Sequence, residues 1–110
     1  MSISNVIPNL FPLQTTPFSF LPLGTVKPLG WLQRQLNIQA NGQSTALMSN
    51  WTDLMSSSSG WCGGTGESWE RGAYYLDGMI PTAYLLDNKD LINRLQQWIE
   101  WILQSQRSNG

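Results

Sequence analysis

The sequence predicts an all-α fold preceded by an extended, proline-rich arm. Three observations carry that expectation. Residues 89–106 repeat apolar side chains at helical spacing: Leu91, Leu95, Trp98 and Ile102 fall at i, i+4, i+7 and i+11. Residues 68–87 are apolar almost all round, with only Glu70, Arg71 and Asp77 charged before Asp87. Residues 27–41 carry Leu29, Leu32 and Leu36 at i, i+3 and i+7.

The elements follow in order. Residues 1–26 are an arm, because Pro8, Pro12, Pro17 and Pro22 forbid a helix. Ile7, Leu10, Phe11, Leu13, Phe18, Phe20 and Leu21 make it too apolar for a solvated tail, so it is expected to pack on something larger. Residues 27–41 read as a helix, with Pro28 in its first turn, Leu29, Leu32 and Leu36 on one face, and Gly42 as its stop. Residues 42–67 read as one long loop, broken by Ser56 to Ser59 and by Gly60, Gly63, Gly64 and Gly66. A loop of that length is usually functional, and Trp51, Trp61 and Cys62 argue that part of it is tied down.

The helix over 68–87 is expected to open on Ser68 as its N-cap and to bend near Pro81. Two stripes run along it: Trp69, Ala73, Leu76, Ile80 and Ala83, and then Tyr75, Met79, Thr82 and Leu86. A short turn at Asp87–Asn88 joins it to the amphipathic helix over 89–106, capped by one of those two residues. Trp98 lies on the apolar stripe of that helix, while Trp101 falls off it and is expected to meet a neighbouring hairpin. One buried helix followed by one surface helix is the alternation of a helical toroid, whose inner helices line a cavity. Such repeat units need about three or more copies to bury their apolar surface. One clear hairpin therefore reads as the start of a larger domain, and the isolated chain is expected to self-associate.

Composition narrows the function. Charged residues are 12% of the chain, about half the usual share. Six Lys and Arg against seven Asp and Glu leave a net charge of −1, which excludes a basic nucleic-acid footprint. With no histidine, mechanisms that need an imidazole from this chain are excluded, the Ser-His-Asp triad and the HExxH zinc site among them. The single Cys62 excludes an internal disulfide and a cysteine-rich metal site built by this chain alone. Prolines interrupt the apolar start, which lacks the pattern of a signal peptide, and no run approaches a membrane span. The expectation is a cytoplasmic chain that engages neither nucleic acid nor membrane.

One block is more specific than a generic helix: Glu67-Ser68-Trp69-Glu70-Arg71-Gly72, followed by Tyr75-Leu76-Asp77-Gly78 and Pro81 to Asp87. With Val26-Lys27-Pro28-Leu29-Gly30-Trp31-Leu32 before it, and Trp98-Ile99, Ile102-Leu103 and Ser105-Gln106-Arg107 after it, this block resembles β-L-arabinofuranosidase-like proteins. These are the glycoside hydrolases of family 127 and their relatives, with six-hairpin glycosidase-like catalytic domains. The resemblance covers residues 20–110. It implies that residues 27–110 are the first helices of an (α/α)6 barrel, truncated after the first hairpin. It also implies a carbohydrate substrate for the full-length protein. In family members known as enzymes, a cysteine nucleophile sits in a zinc-bound cysteine and glutamate cluster, with a separate glutamate as acid/base. Those groups lie beyond the residues matched here, and Cys62 occupies a position where relatives carry an apolar residue. No catalytic or metal-ligating residue is therefore assigned to this chain, and zinc belongs only to the full-length relative.

Candidate substrate-binding residues remain. Glu70, Tyr74 and Asp77, with Tyr84 further along, share one helix face at i, i+4, i+7 and i+14. Carboxylates accept hydroxyl hydrogen bonds and aromatic rings pack on the C–H face of a sugar, so this face suits a carbohydrate cavity. The plain alternatives are a Glu70–Arg71 pair and an Asp77 that accepts backbone N–H bonds near Gly78. Trp61 and Trp69, flanking the glycine-rich stretch, are candidates for the cavity rim. Glu70 and Asp77 lie about 10 Å apart along the axis, too far to act as the carboxylate pair of ordinary glycosidases. A reading from another class is a small helical interaction module that binds a protein partner through a Trp-rich apolar surface.

Overall fold

The computed structural model describes residues 8–109. It is all-α: helix accounts for 58% and no strand occurs among the described residues. The helices are α1 (Gly30–Asn41), α2 (Gln43–Asn50), α3 (Thr52–Met55), α4 (Glu70–Leu85) and α5 (Lys89–Gln104), with a 3-10 turn at Gly60–Cys62. Ile7, and with it the first residues of the expected arm, lies outside the described residues.

The core forms where α4, α5 and the end of α1 meet. Leu76, Met79 and Ala83 of α4 pack with Leu91, Leu95 and Trp98 of α5 and Ala40 of α1. The α5 stripe read from the sequence is the one that is buried, although Leu103 at its end is exposed. The turn between α4 and α5 closes as a Schellman motif. Asn88 N donates to Ala83 O and Asp87 N to Tyr84 O, with Asp87 at φ 52 in the left-handed region. The Asn88 side chain then caps α5 by accepting from Leu91 N at 3.1 Å.

The single long loop expected over 42–67 is not what forms. Two short helices and the 3-10 turn occupy it. Helix α2 is too short to be stable alone, and tertiary contacts hold it: Met48 packs on the core and Tyr75 Oη of α4 donates to Ser44 O at 2.8 Å. Leu54 and Met55 of α3 are buried. Residues 56–67 stay irregular outside the 3-10 turn but are densely cross-bonded. Gly60 N donates to Glu67 O, Gly64 N to Ser59 O, Gly66 N to Ser58 O and Glu67 N to Asp53 O.

Helix α1 begins at Gly30 rather than 27, leaving Pro28 ahead of it and Leu29 extended at its N-cap. Helix α4 begins at Glu70, with Trp69 at the N-cap and no side-chain cap. Ser68 does not serve, because the preceding Glu67 carbonyl is drawn back to Gly60 N and Ser68 lies against Gly60. Helix α4 is also not buried all round. Gly72, Leu76, Met79, Thr82 and Ala83 are covered, while Glu70, Ala73, Tyr74, Asp77 and Gly78 are exposed. The elements packed on it are α1, α3 and α5, which leave the remaining face open.

Between Pro8 and Val26 the chain has no helix and its large apolar side chains are exposed. Its inner end is pinned to the α4–α5 turn. Lys27 Nζ donates to Tyr84 O at 2.8 Å and lies 3.0 Å from Asp87 Oδ2.

Candidate functional site

Helix α4 carries the site and Pro81 shapes it. Proline has no N–H, so the Asp77 carbonyl, four residues earlier, loses its helical donor. The next carbonyl, Gly78 O, accepts from Thr82 Oγ1 at 2.9 Å, and the helix continues through the proline to Leu85. Asp77 presents an exposed carboxylate. Beside it, Gly78 has no atom within 4 Å of where a Cβ would sit, so nothing crowds that part of the face.

Glu70, Tyr74 and Asp77 stand together on this open face, with Tyr74 70% exposed. Tyr84, on the same line, is half-buried. Glu70 makes no ion pair, since Lys27–Asp87 is the salt bridge among the described residues. Its sequence neighbour Arg71 is instead directed over Trp51, with the guanidinium carbon 5.7 Å from the ring centroid.

The two rim tryptophans part company. Trp69 is 77% exposed at the start of α4. Trp61 turns inward: its indole N–H donates to the Trp69 carbonyl, and its ring packs so close to Gly72 that a Cβ there would lie 2.5 Å from Trp61 Cδ1. Trp61 thus fixes the backbone on which Trp69 is displayed. Trp101 packs its six-membered ring on the glycine loop, 2.9 Å from where a Cβ on Gly63 would sit, and stays 42% exposed.

The sequence reads Trp51 as part of a tied-down stretch, but nothing in it pairs Trp51 with Arg71. Glu67 Oε2 is buried without a hydrogen-bond partner among the described residues.

Burial pushes the Cys62 thiol above its ordinary value, so it stays protonated at neutral pH. Burial likewise pushes Tyr75 up to about 12, against a smaller opposing effect of the Arg94 charge. Hydrogen bonding and charge from Lys27 hold Asp87 below the usual carboxylate range. Among the described residues no group of three His, Cys, Asp or Glu side chains is placed to hold a metal, and the lone Cys62 does not fit a zinc cluster. No helix among them is long and apolar enough to cross a membrane.

Comparison with protein-family models, curated proteins and solved structures finds no match, so the functional reading rests on the chain's own residues and geometry.

Proposed function

We propose that this chain supplies the first helices of a carbohydrate-active domain resembling the (α/α)6 β-L-arabinofuranosidases, in which α4 lines the sugar cavity. The supporting observation is the two-sided character of α4. One side is buried by Leu76, Met79 and Ala83, while the other displays Glu70, Tyr74 and Asp77 to solvent. Asp77 offers a carboxylate acceptor to sugar hydroxyls, Glu70 adds a second carboxylate one helical stretch away, and Tyr74 offers a ring face between them. Trp69 extends the platform at the N-terminal end. In this reading the chain binds and orients sugar, while nucleophile, acid/base and any zinc come from residues outside it.

Substituting Asp77→Asn tests the assignment, with methyl β-L-arabinofuranoside as the probe. Hydrogen bonds to a charged group contribute roughly 1.5–3 kcal/mol, so sugar affinity is expected to fall about tenfold or more. The melting temperature should barely move, because an exposed substitution stays within about 0.5 kcal/mol. Unchanged affinity with a lowered melting temperature would make Asp77 a structural acceptor and remove the proposal's main support.

A further inference from the structure

A second cleft lies away from the α4 face, between the end of α2, the loop after α3 and the middle of α5. Its volume is about 390 Å³, and Ser49, Ser57, Arg94 and Gln97 line it over Met55 and Trp98. Met55 and Trp98 are buried, so the floor is held by the packed interior. Arg94 and Gln97 are three residues apart on α5 and therefore lie on the same side of it.

The four polar side chains of this cleft have no work inside the fold. Lys27 is held by Asp87 and Arg71 lies over Trp51, whereas Arg94 makes no ion pair among the described residues. The serine run shows the same division. The Ser56 and Ser58 hydroxyls donate to Thr52 O at 2.6 and 2.7 Å, and the Ser59 hydroxyl accepts from Trp61 N. Ser57 is exposed and its hydroxyl has no partner among the described residues. No Asp or Glu lines the cleft. Asp90, one turn earlier on α5, shares a smaller depression with Arg94 beside the end of α1, and does not pair with it. The cleft thus gathers a guanidinium, a carboxamide and two hydroxyls, with no fixed negative charge among them.

We infer that this cleft binds the phosphoryl group of a small phosphate ester, with Arg94 as its anchor. The guanidinium fork donates two parallel bonds to a phosphate or a carboxylate. A carboxylate has two oxygens, both engaged by that fork, and makes little use of the remaining donors. A phosphoryl group has a third terminal oxygen for the Gln97 amide and the serine hydroxyls. The volume falls within the ~300–1,000 Å³ of small-molecule sites, so the cleft also has room for the carbon body of an ester above Met55 and Trp98. The chain as a whole carries a net charge of −1 and exerts no general pull on anions. Attraction therefore has to come from this local set. No residue of α4 lines the cleft, so phosphate binding stands or falls independently of sugar binding.

A ¹H–¹⁵N NMR titration of the 110-residue chain with phenyl phosphate tests the inference, with benzoate as the carboxylate counterpart. Saturable shifts are expected at the Ser49 and Ser57 amides and at the Gln97 side-chain amide. Binding should strengthen as pH rises through about 6, where the ester gains its second charge. Arg94→Gln should weaken it about tenfold or more, the loss of a hydrogen bond to a charged group. Ser57→Ala, in an exposed loop position, should weaken it about fivefold. Arg34→Gln removes the same charge from an exposed position on α1, outside the cleft, and should leave binding unchanged. Circular dichroism checks that each variant keeps its helix content. No saturable shift at tens of millimolar phenyl phosphate, or benzoate bound as tightly, would overturn the assignment. So would an equal loss with Arg34→Gln, or binding indifferent to both Arg94→Gln and Ser57→Ala.

Discussion

Gly72 shows how one hydrogen atom in place of a methyl group decides a local structure. In an exposed helix, Gly→Ala is favourable by up to about 1 kcal/mol. At Gly72 the added carbon would sit 2.5 Å from the Trp61 ring, which must shift and release its hold on the Trp69 carbonyl. Gly72→Ala is therefore expected to destabilise the chain by about 1–3 kcal/mol in urea unfolding, the usual cost of overpacking. A stabilised variant would show that Trp61 does not pack as described. Asp77 is the converse case, a residue whose surroundings are empty and whose substitution should register in binding rather than in stability. At this scale the sequence was legible in part. Glu70, Tyr74 and Asp77 were placed on one face by spacing alone, and the structure puts them on one exposed face. The inward turn of Trp61 was not legible, because it depends on a glycine eleven residues later along a folded path.

The elements divide according to how much of their reason is local. Helix α5 carries its own cap and its own stripe, so a cap at Asp87 or Asn88, and the burial of Leu91, Leu95 and Trp98, could be read in advance, and the structure selects Asn88. Asn88→Ala should cost about 1 kcal/mol in chemical denaturation, since Leu91 N then loses its acceptor. A change below a few tenths would mean that the Schellman turn alone sets the boundary. Helix α2 is the opposite case. Its Ser, Thr and Asn content masked its helical signal, and it is held by Met48 packed on the core and by the Tyr75 hydroxyl. That tie predicts a pH dependence. Tyr75 has its folded value raised from about 10 to about 12, so the folded state binds its proton more tightly than the unfolded state. The associated stability is present below the unfolded value and is lost as pH rises from about 10 through about 12. Tyr75→Phe should flatten that decline in a series of urea melts, and an unchanged slope would contradict the buried Tyr75–Ser44 contact.

On the scale of the molecule, the helices make one small core and leave much apolar surface outside it: the arm, the start of α1 and the end of α5. The all-α class followed from helical periodicity, but the extent of that open surface did not. The sequence made α4 look enclosed, because hydrophobicity records what a helix can bury and not how many neighbours are present to bury it. Two consequences follow. Residual apolar exposure should bind the dye ANS, and a dye-silent chain would mean that the arm and the start of α1 are covered. Because the proposed reading places nucleophile and acid/base outside this chain, no release of phenol from an aryl β-L-arabinofuranoside is expected of it. Turnover would place catalytic groups where none is assigned.

The most direct measurement is a ¹H–¹⁵N NMR titration of the chain with methyl β-L-arabinofuranoside. The account predicts saturable shifts confined to the amides from Glu70 to Gly78 and to the Trp69 indole N–H, with the Trp61 indole and the α1 amides unmoved. Absence of shifts at tens of millimolar sugar, or shifts gathered on α1 or α5, would contradict the assignment of the α4 face as a carbohydrate site.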